Sequence, residues 1–591
     1  MRNRWLLTSR ALLFVSLLFI LTVLVACGAS APEAPAQEPA AEPQAAQQAA
    51  PEPAQQEPAA AQEPAPTAEP EPAMEAEMAE PTVVRYVESQ GEIQVETNQH
   101  CGGNRPIISQ FLPYVEFLVE ADPVTAEFNP WLAESWESTP DAKSWTFKLR
   151  EDVQFHHGYG EFTAQDIANM AVAKGDESCA SSTTSFWKEM ARAEVVDDHT
   201  IIFHMNNPSL PMPSVVSNLP TGLELISFSK DQLDEVGYEN FDDVKPASTS
   251  YYQFKERKLG EGVVYERVPY EHWRFQSPFE EMEIRWIGEE TTRLAGLLAG
   301  EIHAIALSRD LQPSATEQGM KVIPAQQAFS QLSLFFGGMY FMPGDPDFDP
   351  TTPWADVRVR KAMNKAINRD ELNDYIFRGE GERMHVTACC HPVLDSEIYN
   401  PEWETRWEEA YGYDPEAAKQ LLLEAGYGPD NPVKVEMLNY RTSGEPESPL
   451  AVEALPQYWG PVGIEVTITD IDSGAYSQMR RAKQIQHMMF ANVFSFRKIQ
   501  DRIRTNAPSN TSSHTFSHPY MEEKYQETLN VYTQEEIDVI GRDVANFWYD
   551  IYWTIPIFWF RFNFTVNPEV LEDWVYLNRG YYWHNQVPAT N

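Results

Sequence analysis

The sequence has few positive charges, and apart from one run near the amino terminus it has no long apolar stretch. Lys and Arg together number 44, against 88 Asp and Glu, and the formal net charge is −44. This balance argues against nucleic acids and anionic lipid surfaces as partners. After the amino terminus, the stretch closest to a membrane span is "FWYDIYWTIPIFWFRF" at 547–562, which Asp550, Pro556 and Arg561 interrupt. We expect a helix and a buried strand there instead.

The sequence also lacks the common enzyme signatures. It contains no nucleophile elbow, P-loop, dinucleotide fingerprint or HExxH motif, so we expect neither a cofactor nor catalysis of those types. Acidic pairs such as Glu289-Glu290 and Glu408-Glu409 are interpreted as solvated surface. A glycoside-active surface enzyme stays as an alternative, because paired carboxylates meet only in the folded chain.

The amino terminus carries a different kind of signal. Arg2, Arg4 and Arg10 precede an apolar run over 11–25, a pattern typical of a secretory signal rather than of a membrane span of about 20 residues. The run ends in "LVAC", which resembles the lipobox of bacterial lipoproteins and implies a cleaved peptide over 1–26 and a lipid on Cys27. Residues 28–81 contain no aromatic residue, Lys or Arg, so 27–81 is predicted to be a disordered tether.

Four further cysteines are candidates for disulfides: Cys101, Cys179, Cys389 and Cys390. Outside the cytoplasm they can form two bonds in three connectivities. Adjacent cysteines would close a very small ring, so we expect Cys389 and Cys390 each to bond a distant partner.

Helix and strand patterns alternate along 82–591, which indicates an α/β protein with two or three lobes. The clearest helix follows Asp414 as N-cap and ends at Gly426. Strands are predicted at 433–438 and 464–470, and a strand pair at 145–155 that turns near Glu151-Asp152. A helix capped by Thr163 should follow, and a second helix at 355–368 should expose its Arg and Lys residues to solvent.

Five stretches in order carry a resemblance to a known family. They are "PWLAESWESTPDAKSWTFKLREDVQFHHGYGEFTAQDIA" at 130–168, "RLAGLLAGEIHAI" at 293–305, "DVRVRKAMNKAINRDEL" at 356–372, "YDPEAAKQLLLEAGY" at 413–427 and "PVGIEVTITDID" at 461–472. Together they resemble the family 5 extracytoplasmic solute-binding proteins, the peptide, nickel and oligosaccharide receptors of ABC importers.

The resemblance implies the class C (type II) periplasmic-binding-protein fold, three-lobed, with two lobes that close on a ligand cleft. By analogy, lobe I comprises 82–122, 240–335 and 495–591, lobe II comprises 123–239, and lobe III comprises 336–494. The implied partners are a solute and a permease, with the membrane reached only through the lipid, and we expect a monomer. The implied location is extracytoplasmic.

The chain departs from the family at two places. "KPASTSYYQF" at 245–254 replaces a glycine-rich turn at a lobe crossing, so this crossing must be built without easy access to positive φ. "FANVFSFRKIQDRI" at 490–503 replaces an acidic loop whose Asp captures a peptide amino terminus in peptide-binding members. Arg497 there would repel an ammonium group and suit an anionic or hydroxyl-rich ligand.

Aromatic side chains at strand ends and crossings are the candidate ligand contacts, because open sheets bind ligands there. With Arg497, the candidates are Tyr251, Tyr440, Phe494 and Phe496. His385, Cys389, Cys390 and His391 lie close together, and His156-His157 form another pair. They leave a metal or nickel-chelate receptor open as an alternative, although secreted cysteines more often form disulfides.

Overall fold

The structure, a computed structural model, describes eleven stretches of the chain. They are 83–89, 110–176, 184–219, 225–237, 240–241, 244–387, 389–440, 446–495, 498–506, 516–576 and 583–589. Within these stretches, no helix combines the length and the apolar character needed to cross a bilayer. Cys27, Cys101, Cys179, Phe496 and Arg497 lie outside the described residues, as do the predicted signal peptide and tether.

The first part of the described chain builds strands β1 (Val83–Glu88), β2 (Val119–Ala121), β3 (Phe128–Pro130), β4 (Ala133–Ser138), β5 (Ser144–Leu149), β6 (Met190–Asp197) and β7 (Thr200–Met205). Its helices are α1 (Ala164–Gly175), α2 (Thr184–Trp187), α3 (Met212–Val215) and α4 (Lys230–Val236). The next part has β8 (Tyr252–Lys258), β9 (Gly262–Arg267), β10 (Glu281–Trp286), β11 (Ala304–Ile305) and β12 (Lys321–Pro324), with α5 (Glu290–Leu298) and α6 (Gln312–Glu317).

The remaining strands are β13 (Ser330–Phe336), β14 (Glu382–Arg383), β15 (Val433–Asn439), β16 (Ile464–Asp470), β17 (Met488–Ser495), β18 (Thr554–Phe560), β19 (Asn563–Val566), β20 (Leu571–Trp574) and β21 (Gln586–Pro588). The helices between them are α7 (Val357–Lys365), α8 (Arg369–Leu372), α9 (Glu402–Ala410), α10 (Pro415–Glu424), α11 (Glu447–Trp459), α12 (Ser473–Arg481), α13 (Ile499–Asn506), α14 (Pro519–Thr528) and α15 (Gln534–Ile551).

Three large sheets and two two-stranded sheets, β2-β3 and β20-β21, organise the described strands. The largest has seven strands in the order β12-β19-β11-β1-β10-β9-β8, the second has six in the order β14-β18-β13-β17-β15-β16, and the third has four in the order β4-β5-β7-β6. One buried apolar cluster joins the seven-stranded and four-stranded sheets. The six-stranded sheet has a buried cluster on each of its faces, so both faces are covered.

Several local predictions are confirmed. The side chain of Asp414 accepts a hydrogen bond from the Ala417 amide at the start of α10, and Gly426 takes φ 91° beyond its end. Thr163 caps α1 in a capping box, and α15 followed by β18 forms the helix and buried strand expected at 547–562. The strand pair at 145–155 is only half right, because β5 ends at Leu149 and pairs with β4 and β7 instead.

The helix predicted at 355–368 exists as α7, but its basic face is not wholly solvated. Arg360 and Lys365 are buried. The Arg360 guanidinium donates to the carbonyls of Trp354 (2.7 Å) and Ile551 (2.9 Å), and burial lowers its pKa to about 10. These two cations tie loop carbonyls to the helix, a use that charge patterning alone does not reveal.

The sheets divide the chain at other positions than the predicted lobe boundaries. The four-stranded sheet lies inside the predicted lobe II, but the six-stranded sheet takes strands from Ser330 to Phe560. The predicted boundaries at 335/336 and 494/495 therefore fall inside one sheet. We propose residues 325–329 and 561–562, where the chain passes between the two large sheets, as the boundaries instead.

Candidate functional site

The two passages between the large sheets locate the candidate site. Residues 325–329 connect β12 to β13, and residues 561–562 connect β18 to β19. Arg309 holds the second passage: its guanidinium donates to the Arg561 carbonyl (2.8 Å) and forms ion pairs with Glu380 (2.8 Å) and Glu447. Ligand sites occur preferentially at such junctions between bodies.

Beside these passages, β13 presents a row of polar side chains although the whole strand is buried. Its Leu332 and Leu334 face one apolar cluster, so Gln331 and Ser333 point to the opposite face. Gln331 lies opposite Phe494 of β17 and Trp559 of β18, and Ser333 lies opposite Asn492.

The polar groups of this face are linked to one another. Thr554 donates its hydroxyl to Thr387 (2.7 Å), and Thr387 donates to Ser333 (2.9 Å). The Tyr440 hydroxyl donates to the Asn492 side-chain oxygen (2.7 Å). We name this polar surface, made of Gln331, Ser333, Thr387, Tyr440, Asn492 and Trp559, the sheet face.

The structure brings some of the predicted ligand contacts together and separates others. Tyr440 lies on the sheet face, stacked on Tyr476 at 4.2 Å between ring centroids, and its partner Asn492 precedes Phe494 by two residues on β17. Tyr251 is instead packed against His272 and Phe275 in the cluster that also contains Trp559.

The crossing at 245–254 is built without left-handed backbone, as expected from its lack of glycine. His156 holds it in place. Its Nδ1 accepts from the Ser248 amide (3.3 Å), its Nε2 lies 2.7 Å from the Ser250 carbonyl, and burial lowers its pKa to about 3. One member of the His156-His157 pair therefore supports the backbone as a neutral side chain.

A buried carboxylate lies in the same region. Glu116 accepts from the indole N–H groups of Trp131 (2.8 Å) and Trp273 (3.3 Å), and its carboxylate lies 3.7 Å from His272. Burial alone would raise the pKa of Glu116, but the charge and hydrogen bond of His272 and the indole donor of Trp131 bring it below its usual value. This carboxylate therefore links the segment before β2 to Trp131 and to the loop that carries His272 and Trp273.

The cysteine prediction is wrong for Cys389 and Cys390, which are bonded to each other rather than each to a distant partner. Cys390 takes a left-handed backbone with φ 69°, and both residues are buried among the aromatic side chains of one cluster. The bond leaves neither sulfur as a thiolate ligand for a metal. Among the described residues, no three His, Cys, Asp or Glu side chains are grouped as a metal site.

The four-stranded and six-stranded sheets are also linked directly. Ser214 of α3 donates to Asp501 of α13 (3.1 Å), and both side chains are buried. The Arg504 guanidinium lies over the Phe186 ring at 4.9 Å. These contacts join segments that are far apart in sequence. In this structure the four-stranded and six-stranded bodies therefore touch each other.

Sequence reasoning missed Gln331, Ser333, Asn492 and Trp559. The signal for the first two was present: "SQLSLFF" alternates polar and apolar residues inside an otherwise apolar region. Asn492 and Trp559 acquire their position only through strand pairing across long sequence separations.

Comparisons with known proteins agree with this architecture. The family model "Bacterial extracellular solute-binding proteins, family 5 Middle" matches residues 127–503. Heme-binding protein A of Haemophilus influenzae is 27% identical over 390 residues, a match that spans 62% of this chain and 66% of that protein.

Two solved structures are similar over almost their full length. NikA from Brucella suis in complex with Fe(III)-EDTA aligns with a TM-score of 0.71 at 20% identity, covering 86% of this chain and 99% of that one. The dipeptide-binding protein from Pseudoalteromonas sp. SM9913 in complex with Met-Leu aligns with a TM-score of 0.70 at 17% identity, covering 86% and 100%. At these identities the likeness shows the fold alone, which is that of type II periplasmic binding proteins.

Proposed function

Because the chain belongs to family 5 of the bacterial extracellular solute-binding proteins, we propose that it captures a solute between its two large sheets and delivers it to the permease of an ABC importer. The sheet face carries this proposal, because it places amide, hydroxyl and indole groups beside the only two passages between the large sheets in the described chain. A few convergent polar groups in an apolar wall are typical of a small-molecule site.

The mechanism is a shift between an open and a closed arrangement. A solute that contacts both bodies stabilises the closed form by its differential affinity, and no chemical step is required. The short passages at 325–329 and 561–562 suit a hinge, since only they need to change backbone angles when the bodies separate. We propose a peptide, an oligosaccharide or a related solute, bound by a monomer.

We also propose that the body is anchored outside the cytoplasm by a lipid on Cys27. The supporting observations are the charged start, the apolar run and the "LVAC" boundary. Replacing Cys27 by Ser should move the protein from the membrane fraction to the soluble extracytoplasmic fraction of the expressing cells, and an unchanged distribution would contradict the anchor.

A thermal-shift panel on the full chain tests the capture. Its probes are Met-Leu, short α- and β-linked oligosaccharides, heme and Fe(III)-EDTA, each at several concentrations. A ligand at 100 times its Kd adds about 2.7 kcal/mol to the free energy of unfolding, which shifts Tm measurably. The radius of gyration from X-ray scattering should fall with the same probe. If no probe raises Tm or compacts the protein, capture of these solute classes is refuted.

A further inference from the structure

His391 is a buried histidine whose protonation state follows from its contacts. Its Nδ1 accepts hydrogen bonds from the amides of Val393 and Leu394, both at 3.2 Å. An atom that accepts two N–H groups carries no proton, so the proton of the neutral ring is on Nε2. Burial, with the nearby charge of Arg561, lowers the pKa of His391 to about 4, so the ring is neutral at pH 7.

The Nε2–H group of His391 has no hydrogen-bond partner among the described residues, although the residue is only 2% exposed. A buried donor without an acceptor is costly, so an acceptor that arrives with a ligand would stabilise it. The ring packs edge-on against Trp559, with 5.1 Å between ring centroids, and Trp559 belongs to the sheet face and lies two residues before the passage at 561–562. The orphan donor is therefore at the junction of the two bodies.

The segment that carries His391 lies between the two bodies and is held at several points. Met384 and Leu394 belong to the cluster of the seven-stranded sheet, whereas Cys389 and Cys390 belong to a cluster of the six-stranded sheet. The bond between the two cysteines fixes the backbone just before His391.

Asp395 holds the segment on the other side of the histidine. It accepts from the Cys390 amide (3.3 Å), its own amide donates to the His391 carbonyl (2.9 Å), and Lys498 of the six-stranded body lies 3.5 Å from its carboxylate. The ring of His391 is thus fixed from both sides.

We propose that His391 is a specificity residue that donates its Nε2–H to a carbonyl or carboxylate oxygen of the captured solute, and that the Cys389–Cys390 bond positions it. This inference rests on the proposed function and adds to it a solute class, one that presents an acceptor oxygen. It also assigns this histidine a role other than metal coordination, because a protonated Nε2 has no lone pair to offer a metal.

The first test replaces His391 by Asn in the full chain. The Asn side-chain oxygen can still accept from the amide two residues on, so the backbone keeps its support while the Nε2 donor is lost. The matched control is His518→Asn, since His518 also accepts an amide two residues on, that of Tyr520 (3.2 Å), at the exposed start of α14. Binding is measured by calorimetry with Met-Leu and with Met-Leu amide as probes.

We expect H391N to weaken Met-Leu binding roughly ten- to hundredfold and H518N to leave it unchanged. If the acceptor is the terminal carboxylate, H391N weakens Met-Leu binding more than Met-Leu amide binding, because a charged acceptor makes the stronger hydrogen bond. If it is a peptide carbonyl, H391N weakens both probes equally. Wild-type binding that H391N leaves intact overturns the role of His391 alone. A wild type that binds neither probe overturns this role and the peptide form of the proposed function together.

The second test removes the bond with Cys389→Ser/Cys390→Ser. If the bond acts by positioning His391, the affinity losses of this variant and of H391N should not add when combined, as for residues that act as one unit. Additive losses would contradict the positioning role. Histidine ¹⁵N NMR provides a readout that does not depend on a ligand: the wild type should show His391 as the Nε2–H tautomer, and an Nδ1–H tautomer overturns the proposal.

Discussion

Asp395 carries a carboxyl group with almost no access to solvent, and burial raises its pKa to about 6 despite the nearby charge of Lys498. A carboxyl whose pKa is raised in the folded state favours folding while it is protonated. That contribution is complete below about pH 4, near the pKa of the unfolded chain, and is lost as the pH rises through 6.

We therefore expect the difference in unfolding free energy between Asp395→Asn and the wild type to change by roughly 2 kcal/mol between pH 4 and pH 7, in favour of the variant at pH 7. The variant keeps an acceptor for the Cys390 amide. Urea denaturation across this pH range measures the difference. Histidines with lowered pKa, such as His391, act in the opposite direction but equally in both proteins.

Glu409→Gln is the control, because Glu409 is an exposed carboxylate on α9. Its difference from the wild type should stay flat over the same range. A D395N difference that is equally flat would show that the Asp395 carboxyl titrates alike in the folded and unfolded chain.

The sequence reveals residue roles unevenly. The cap at Asp414 and the stop at Gly426 are read correctly because they depend only on neighbours within one turn. The sequence does not predict the bond between Cys389 and Cys390, because this bond depends on the left-handed backbone at Cys390 and on the aromatic cluster around both cysteines. The predicted exposure of Arg360 and Lys365 is wrong for the same reason, because the carbonyl groups that bind them come from distant segments.

At the scale of elements, the contact between α13 and α15 depends on one small residue. A Cβ atom built on Gly541 of α15 would lie 2.5 Å from the Cγ2 atom of Ile499 at the start of α13 and 3.1 Å from the Cδ1 atom of Ile398. Gly541→Ala should therefore push the helices apart and destabilise the protein by about 1–3 kcal/mol in urea denaturation. Because α13 carries Asp501, the same change should loosen the contact with Ser214.

Gly288→Ala is the matched control. A Cβ atom built on Gly288 would meet only the Ser89 carbonyl oxygen, at an ordinary contact distance of 3.8 Å, and Gly288 does not take a positive φ. This variant should change the free energy of unfolding by less than about 1 kcal/mol. Equal stability changes for the two variants would contradict the close packing assigned to Gly541.

The elements show which part of a fold can be predicted. α1, α10, β15 and β16 follow from periodicity, because the apolar residues of each recur at the spacing of the face that it buries. The sheet face does not, because β13, β17 and β18 come together only by long-range pairing. The predicted lobe boundaries at 335/336 and 494/495 lie inside this sheet for the same reason, because nothing local between β18 and β19 marks a change of sheet.

For the whole molecule, the contact between Ser214 and Asp501 joins the four-stranded and six-stranded bodies. While the bodies touch, Ser214→Ala removes one hydrogen-bond donor from the buried Asp501 carboxylate. Once the bodies separate, the wild type lacks this hydrogen bond as well, so the variant destabilises only the touching arrangement. If that arrangement is the solute-bound one, the dissociation rate of any solute that shifts Tm should rise roughly tenfold, with little change in the association rate. Stopped-flow fluorescence measures both rates.

Ser209→Ala is the control for this change. The Ser209 hydroxyl donates to the Asn207 carbonyl (3.3 Å) within one body, so its loss should leave both solute rates unchanged. An S214A protein that releases solute at the wild-type rate would show that this contact is kept whether or not solute is bound.

The strand order of the seven-stranded sheet bears on how the protein is made. β19 lies between β11 and β12, yet the chain builds the whole six-stranded sheet before it reaches β19. In a chain that emerges amino end first, β11 and β12 are therefore made before β19, the strand that pairs with both, and their edges stay unpaired until then. The seven-stranded sheet is completed only when β19 has emerged, so it is the last of the three large sheets that the growing chain can close.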